Sequence, residues 1–273
     1  MSVSWPGLPD RGEDDTKRLR RGFAVQGRVV HALLLRELQT RFGRGGLGFL
    51  WLFLEPLLLG SAIGLLKYVL DRGHTGNVPV FLFAITGYAP YFAFRAVIGR
   101  ASGAFASNMT LMYHRQVHLI DIMAARTLLE IGAVMAILVI VVGGAAWWAD
   151  IKPNSVPTLV GGVLLLFLYA HGIAMLVAAG SAVSELAERM VHPVLYISLP
   201  FSGALFTMHS LPPSLRAFML WNPQVHFHEM VRDGMFGDMI PAYYDLQYMT
   251  GFAVGMNLLG MMAMRAIRPK LEF

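Results

Sequence analysis

Few residues in this 273-residue chain have types and spacing suited to chemistry. Glu55 stands in RELQTRFGRGGLGFLWLFLEPLLL (36–59), inside an apolar run and directly before Pro56. Counted from Leu47, it lies about 13 Å along a helix rising 1.5 Å per residue. An unpaired charge at that depth of a bilayer costs roughly 2.5–3.5 kcal/mol on insertion scales. Glu55 therefore needs a partner, water or a proton. Arg95 is placed to snorkel toward it, and a protonated carboxyl is the simpler alternative. Pro56 removes one helical hydrogen bond, kinks the helix and frees the Leu52 carbonyl, which favours a position beside a pathway over a purely structural bend. His226, His228 and Glu229 resemble a metal cluster at first sight. Residues two apart on a helix point in different directions, however, and the H-E-x-x-H spacing is missing, so solvated helix faces are expected there and no metal.

Other catalytic constellations are missing too. No G-x-S-x-G elbow occurs, and none of Lys17, Lys67, Lys152 and Lys270 follows a glycine, so there is no Walker-type phosphate cradle. Any ATP or Mg that drives the system must be bound by another polypeptide, and this chain is read as non-enzymatic with no cofactor of its own. The absence of cysteine excludes disulfides and thiolate metal sites.

The elements that must position Glu55 are membrane helices. Hydrophobic residues make up 56% of the chain and charged residues only 14%, against about 25% charged in soluble domains. The expected fold is an all-α integral membrane protein. Six spans are expected near 47–68, 78–98, 130–149, 158–183, 191–208 and 247–265, the fifth short and carrying Pro193 and Pro200. Of the 22 Lys and Arg residues, 17 fall on the side of the termini, which places both termini in the cytoplasm. The net charge of +5 is thus a topology and anionic-lipid signal, and a nucleic-acid partner is excluded.

Residues 1–27 read as a disordered cytoplasmic tail. In RVVHALLLRELQTRF (28–42), Val30, Leu34, Leu38 and Phe42 form an apolar stripe opposite Arg28, Arg36 and Arg41. An amphipathic helix is expected over 28–44, lying at the lipid boundary or packed on a soluble partner. Gly43, Gly45, Gly46 and Gly48 would turn the chain into the bilayer. Between the second and third spans a short helix is expected within 112–122, bound to a partner or resting on the membrane. In the outward stretch 209–246, Asn222 caps a helix with Pro223 at its first position, and the stretch reads as a re-entrant helical hairpin. Trp51, Tyr88, Tyr91 and Phe94 crowd the Glu55 region. Aromatic faces suit sugar rings, and they are equally at home at membrane interfaces.

Four segments in order, RELQTRFGRGGLGFLWLFLEPLL, YAPYFAFRAVI, MYHRQVHLIDIMAARTLLE and WNPQVHFHEMVRDGMF, resemble the permease subunit of ABC-2-type capsular polysaccharide exporters, from about residue 30 onward. The resemblance implies a homodimer in the bacterial inner membrane with two copies of a separate ATPase. It implies an interface helix with Arg36, Glu37, Arg41 and Arg44, whose arginines recruit an anionic lipid anchor or hold headgroups. Tyr113, His114, Arg115, Gln116, Val117 and Asp121 would couple to the ATPase. Trp51, Glu55, Tyr88, Tyr91, Phe94 and Arg95 would line the substrate path, opened as spans one and five separate. Asn222, Pro223, Glu229 and Arg232 would belong to a periplasmic gate over 209–246. The cargo would be a lipid-linked capsular polysaccharide, passed to a periplasmic adaptor and an outer-membrane channel. O-antigen or teichoic acid permeases are close alternatives, and an ion-coupled transporter is the rival from another class.

Overall fold

The computed structural model describes residues 15–42, 47–70, 78–112 and 117–271. Among the described residues ten α-helices follow one another: α1 (Asp15–Phe42), α2 (Leu47–Leu70), α3 (Val80–Ala101), α4 (Ala104–Met112), α5 (Leu119–Ala149), α6 (Val156–Ser181), α7 (Glu185–Ser198), α8 (Pro213–Met219), α9 (Pro223–Phe236) and α10 (Leu246–Leu271). Short 3₁₀ turns occupy Leu199–Phe201, Met208–Ser210 and Gly237–Met239. No strand occurs among the described residues. Four of these helices, α3, α5, α6 and α10 as far as Arg268, are long and apolar enough to cross a membrane. The first expected span falls on α2, a 24-residue helix with Pro56 inside it.

The fifth expected span, 191–208, is not one helix. Its helical part, α7, has 14 residues, about 21 Å at 1.5 Å per residue. It ends at Ser198, a 3₁₀ turn carries Pro200, and Gly203 adopts φ +77°, a left-handed conformation that only glycine takes without strain. Those local choices break the span before it can reach the roughly 20 residues a crossing needs.

Two further expectations change. The N-terminal helix begins at Asp15 instead of 28, so residues 15–27 are not part of a disordered tail. Once Leu33 and its neighbours Val29, Val30 and Leu34 pack into the core, adding each earlier residue fixes one residue per hydrogen bond, and the exposed Lys17, Arg20, Arg21 and Gln26 of this stretch are good helix formers. The short helix expected within 112–122 is also not seen as a unit among the described residues of that stretch. Val117 and His118 are not helical, and α5 starts at Leu119 because His118 and Asp121 form a reciprocal capping box. The helix that precedes this turn is α4. Residues 113–116, with Tyr113, His114, Arg115 and Gln116, lie outside the described residues, as do Arg44 and the side chain of Arg41.

At the centre stands α6, packed against α10, α9, α3, α5 and α7. Apolar packing between helices has no strong hydrophobic drive within lipid, so polar cross-links add specificity. Asn257 on α10 donates to the Leu168 carbonyl of α6 at 2.7 Å, and His171 of α6 pairs with Thr127 of α5 at 3.0 Å. With 31 residues α5 is about 46 Å long, well beyond a hydrocarbon core of about 30 Å. Its first turns therefore project past the lipid and dock with α1 and α4.

Candidate functional site

Three polar constellations stand out against the apolar bundle. One lies on the faces of α2, α3 and α7. Trp51 and Glu55, four residues apart, share a face of α2, with Trp51 56% exposed. The Tyr88 hydroxyl lies within electrostatic reach of Arg95, Glu55, Tyr91 and Tyr196. The Arg95 guanidinium stacks over Phe92 at 5.4 Å and over Tyr196 of α7 at 5.0 Å. Trp51, Glu55 and Arg95 thus border one aromatic and charged strip, with Tyr88, buried in the core, beneath it. The expected Glu55–Arg95 contact is not a direct ion pair, because the guanidinium is held between two rings instead.

Tyr91 and Phe94 leave this strip. The Tyr91 hydroxyl donates to the Leu195 carbonyl at 2.6 Å and pairs with Ser198 at 3.1 Å, fixing α7 against α3. Phe94 stacks on Tyr169 at 6.1 Å and lines a cavity of about 380 Å³ between α3, α6, α7 and the start of α9. The helical period separates the two sets: 88, 92 and 95 fall on one stripe of α3, and 91, 94 and 98 on the next.

The second constellation holds the broken segment after α7. Arg232, 2% exposed, donates to the carbonyls of Gly203 at 2.6 Å, Ala204 at 2.6 Å and Phe206 at 2.7 Å. Its guanidinium also lies 4.3 Å over the Phe83 ring. One turn earlier on α9, Glu229 is 1% exposed and accepts the amides of Met208 at 3.1 Å and Tyr243 at 3.0 Å. The two side chains lie 3.8 Å apart. Asn222 caps α9 by accepting from Gln224, with Pro223 at the first helical position, and donates to the Phe201 carbonyl at 2.8 Å. Asn222 and Arg232 between them donate to four carbonyls of the segment 201–206. An irregular backbone inside a membrane protein persists only where such groups are satisfied within the protein. Gly87 of α3 completes the fit, since a Cβ there would collide with the Ala204 carbonyl oxygen.

This corrects the expectation of solvated faces on α9, where His226, His228 and Glu229 are all buried. His226 accepts from the Asp245 amide at 2.9 Å and pairs with the Leu220 carbonyl at 2.9 Å. His228 pairs with the Gln224 carbonyl at 3.0 Å and faces the Tyr91 ring. α9 lies outside the four spans, and burial there pushes His228 down to about 4 and Arg232 down to about 10. Burial raises Glu229, opposed by Arg232 and by the two amides. Sequence reasoning placed Glu229 and Arg232 in this region without their role. The available signal was an acid and a base three apart on a helix, near a stretch broken by Pro200 and Gly203.

The third constellation joins α1 to α4 and α5. Gln26 donates to Asp121 at 2.6 Å, Arg36 donates to Asn108 at 3.0 Å, and Glu37 pairs with Arg126 at 3.2 Å. Arg126 also donates to the Arg100 carbonyl at 2.8 Å, and Arg100 pairs with the buried Glu130 at 3.3 Å. Of the expected coupling residues, Val117 is half-buried and Asp121 is buried, its carboxylate accepting the His118 amide at 3.0 Å. No group of three or more His, Asp or Glu side chains suited to a metal occurs among the described residues.

Comparison with known proteins places these constellations in context. The family described as ABC-2 type transporter matches residues 28–236, from the middle of α1 to the end of α9. The capsule polysaccharide export inner-membrane protein BexB of Haemophilus influenzae is 31% identical over 265 residues, 94% of this chain and 98% of its own. CtrC of Neisseria meningitidis serogroup B, likewise a capsule polysaccharide export inner-membrane protein, is 36% identical over 83% of this chain and 86% of its own. The polysialic acid transport protein KpsM of Escherichia coli is 34% identical over 89% and 94% respectively. The chain therefore belongs to the ABC-2 transporter membrane family.

Proposed function

We propose that this protein is the non-catalytic inner-membrane permease of an ATP-driven exporter of capsular polysaccharide. The observation that carries this reading is the end-to-end similarity to capsule export proteins, which for BexB spans 98% of the relative. Two copies of the permease would pair and each would engage one copy of a separate ATPase, with the termini in the cytoplasm. The glycan path would follow the strip of Trp51, Glu55, Tyr88 and Arg95, where aromatic faces meet the C–H edges of sugars and the charged groups bind hydroxyls. The α1–α4–α5 constellation, next to residues 113–116, would carry movement of the ATPase into α5. The segment held by Asn222, Glu229 and Arg232 would frame a periplasmic gate, beyond which an adaptor and an outer-membrane channel receive the polymer.

The test is complementation in an encapsulated strain whose own permease gene is deleted. Restored surface polysaccharide is the expected result. A strain that makes polymer, contains the permease in its membrane and still retains the polymer inside would reject the reading. Complementation of an O-antigen permease deletion, and not of the capsule deletion, would assign the cargo to the alternative class.

A further inference from the structure

The cavity behind Phe94 has a chemistry different from that of the proposed glycan strip. It has a volume of about 380 Å³, within the range of small-molecule sites. One face of α7 forms its long wall, from Ala187 to Ser198, a distance of about 16 Å at 1.5 Å per residue. Opposite stand Ile173 and Val177 of α6, and the lining is almost wholly apolar apart from one end. That end carries Ser198, Asn222 and Gln224.

Two of these three polar side chains are already occupied. Ser198 donates to the Leu195 carbonyl at 2.8 Å and pairs with Tyr91, and Asn222 donates to Phe201 while capping α9. Gln224 is different. It is only 4% exposed, and its side-chain Nε2 is fully buried with no hydrogen-bond partner. A buried unmatched donor is expensive and calls for an acceptor from outside the chain. The cavity therefore offers, at the end of a narrow apolar trough, one buried donor without a partner, and the Tyr169 hydroxyl on its α6 wall is a further polar group of the lining. A sugar would bring several hydroxyls into it without partners, each at a cost of about 1–3 kcal/mol. A hydrocarbon chain ending in a single carbonyl fits both the trough and the donor. The trough is also open sideways, since Met190 and Val194 on its α7 wall are half exposed.

We infer that this cavity is a binding site for one acyl chain of a membrane phospholipid, with the chain's ester carbonyl accepting from Gln224 Nε2. The chain enters between Met190 and Val194 and lies along α7 toward Ala187. The site is distinct from the glycan strip, and its occupancy does not depend on which polymer is exported. By filling the space between α6 and α7 the lipid keeps the shorter α7 braced against the bundle.

The full-length chain is reconstituted in vesicles of phosphatidylethanolamine and phosphatidylglycerol containing a phospholipid with a photoactivatable diazirine in its acyl chain. Crosslinks are mapped by peptide mass spectrometry. Labelling of the peptides that contain Ile173 and Val194 is expected, without any glycolipid present. Ile173→Trp with Val194→Trp should fill the trough and lower that labelling at least tenfold, leaving labelling of the exposed α10 residues Val254 and Leu258 unchanged. Gln224→Leu should lower it about fivefold, as expected for loss of one hydrogen bond. A dialkyl ether analogue of the probe, which lacks the carbonyl, should label the unaltered protein about fivefold less and be indifferent to Gln224→Leu. Equal labelling by ester and ether probes, or labelling confined to vesicles containing the exported glycolipid, overturns the inference. The ester-to-ether comparison uses the unaltered protein, so it decides the matter even if a variant fails to fold.

Discussion

Arg232 and Arg216 allow burial to be separated from the number of hydrogen bonds. Each donates to three carbonyls near the broken segment after α7: Arg232 to Gly203, Ala204 and Phe206, and Arg216 to Met208, His209 and Leu211. Each also stacks on a ring, Phe83 and Tyr243 respectively, at 4.3 and 4.4 Å. They differ in solvent access, Arg232 being buried and Arg216 partly exposed. Arg232→Ala leaves two buried acceptors and one partly buried one unmatched, each buried one costing about 1–3 kcal/mol, and leaves Glu229 without its counter-charge. Some of this is recovered because a guanidinium no longer has to be kept from water, so the net loss should match that of breaking one side of a buried pair, about 3–5 kcal/mol. For a chain of this size, at about 2–4 °C per kcal/mol, the unfolding midpoint should fall by about 10 °C. Arg216→Ala exposes carbonyls that water reaches, and its cost should stay near 1 kcal/mol. The assay is thermal unfolding of the purified protein in one detergent, followed by tryptophan fluorescence. Arg232→Lys should fall between, since an ammonium matches one carbonyl where the planar fork matches three. Equal shifts for the two alanine variants would refute the reasoning, because bond count would then decide and burial would not.

Three other outcomes follow from the same geometry. Charge reversal at Glu37 or Arg126 alone should reduce export and destabilise α1, and the double reversal should recover part of both, with a coupling of about 0.5–3 kcal/mol in the double-mutant cycle. Trp51→Ala, Glu55→Ala and Tyr88→Phe, the last keeping the ring of a buried residue, should each lower surface polysaccharide at unchanged permease abundance, whereas Phe94→Ala, lining the separate cavity, should act through stability. Normal export in all three strip variants removes the strip from the path. His228 is neutral in the folded protein down to about pH 4 and titrates near 6.5 when unfolded, so the unfolded chain binds the extra proton between these values. Its contribution is complete above pH 6.5 and is lost as pH falls toward 4, in total about 3 kcal/mol at about 1.4 kcal/mol per pH unit. His228→Leu should flatten the dependence of unfolding temperature on pH in that window, and an unchanged slope would reject it.

Much of the bundle is legible in the sequence because lipid imposes a simple rule: a run of about 20 apolar residues that must satisfy its own backbone becomes a helix. The expectations for 78–98, 158–183 and 247–265 fall on α3, α6 and α10 for this reason. Hydropathy is blind to the way backbone groups are satisfied by distant side chains. The run 191–208 is apolar enough to be read as a span, and only tertiary contacts from Asn222 and Arg232 make its broken form possible. The early start of α1 was hidden for a related reason, as its charged first turns resemble a solvated tail and become helical by extension from a packed segment. Glu55 was conspicuous because charge within an apolar run is expensive wherever it lies. Glu229 and Arg232 were not, because the stretch around them is polar and a buried pair there looks like surface.

The fixed carbonyls after α7 limit which parts of a gate can move. Four main-chain acceptors are held by Arg232 of α9 and by its N-cap Asn222, and α9 is itself packed on α6. Shifting the 201–206 segment away from α9 would strip several charge-assisted bonds at once inside a low dielectric, a cost of several kcal/mol before any new contact forms. That is too much for a motion repeated with every step of polymer. In the proposed exporter this segment and α9 therefore travel as one body. The compliant contacts are the apolar and aromatic ones along α2 and the outer face of α7, where Trp51, Leu58, Val194 and Ile197 remain exposed, while the buried Tyr91–Leu195 bond keeps the inner face of α7 on α3.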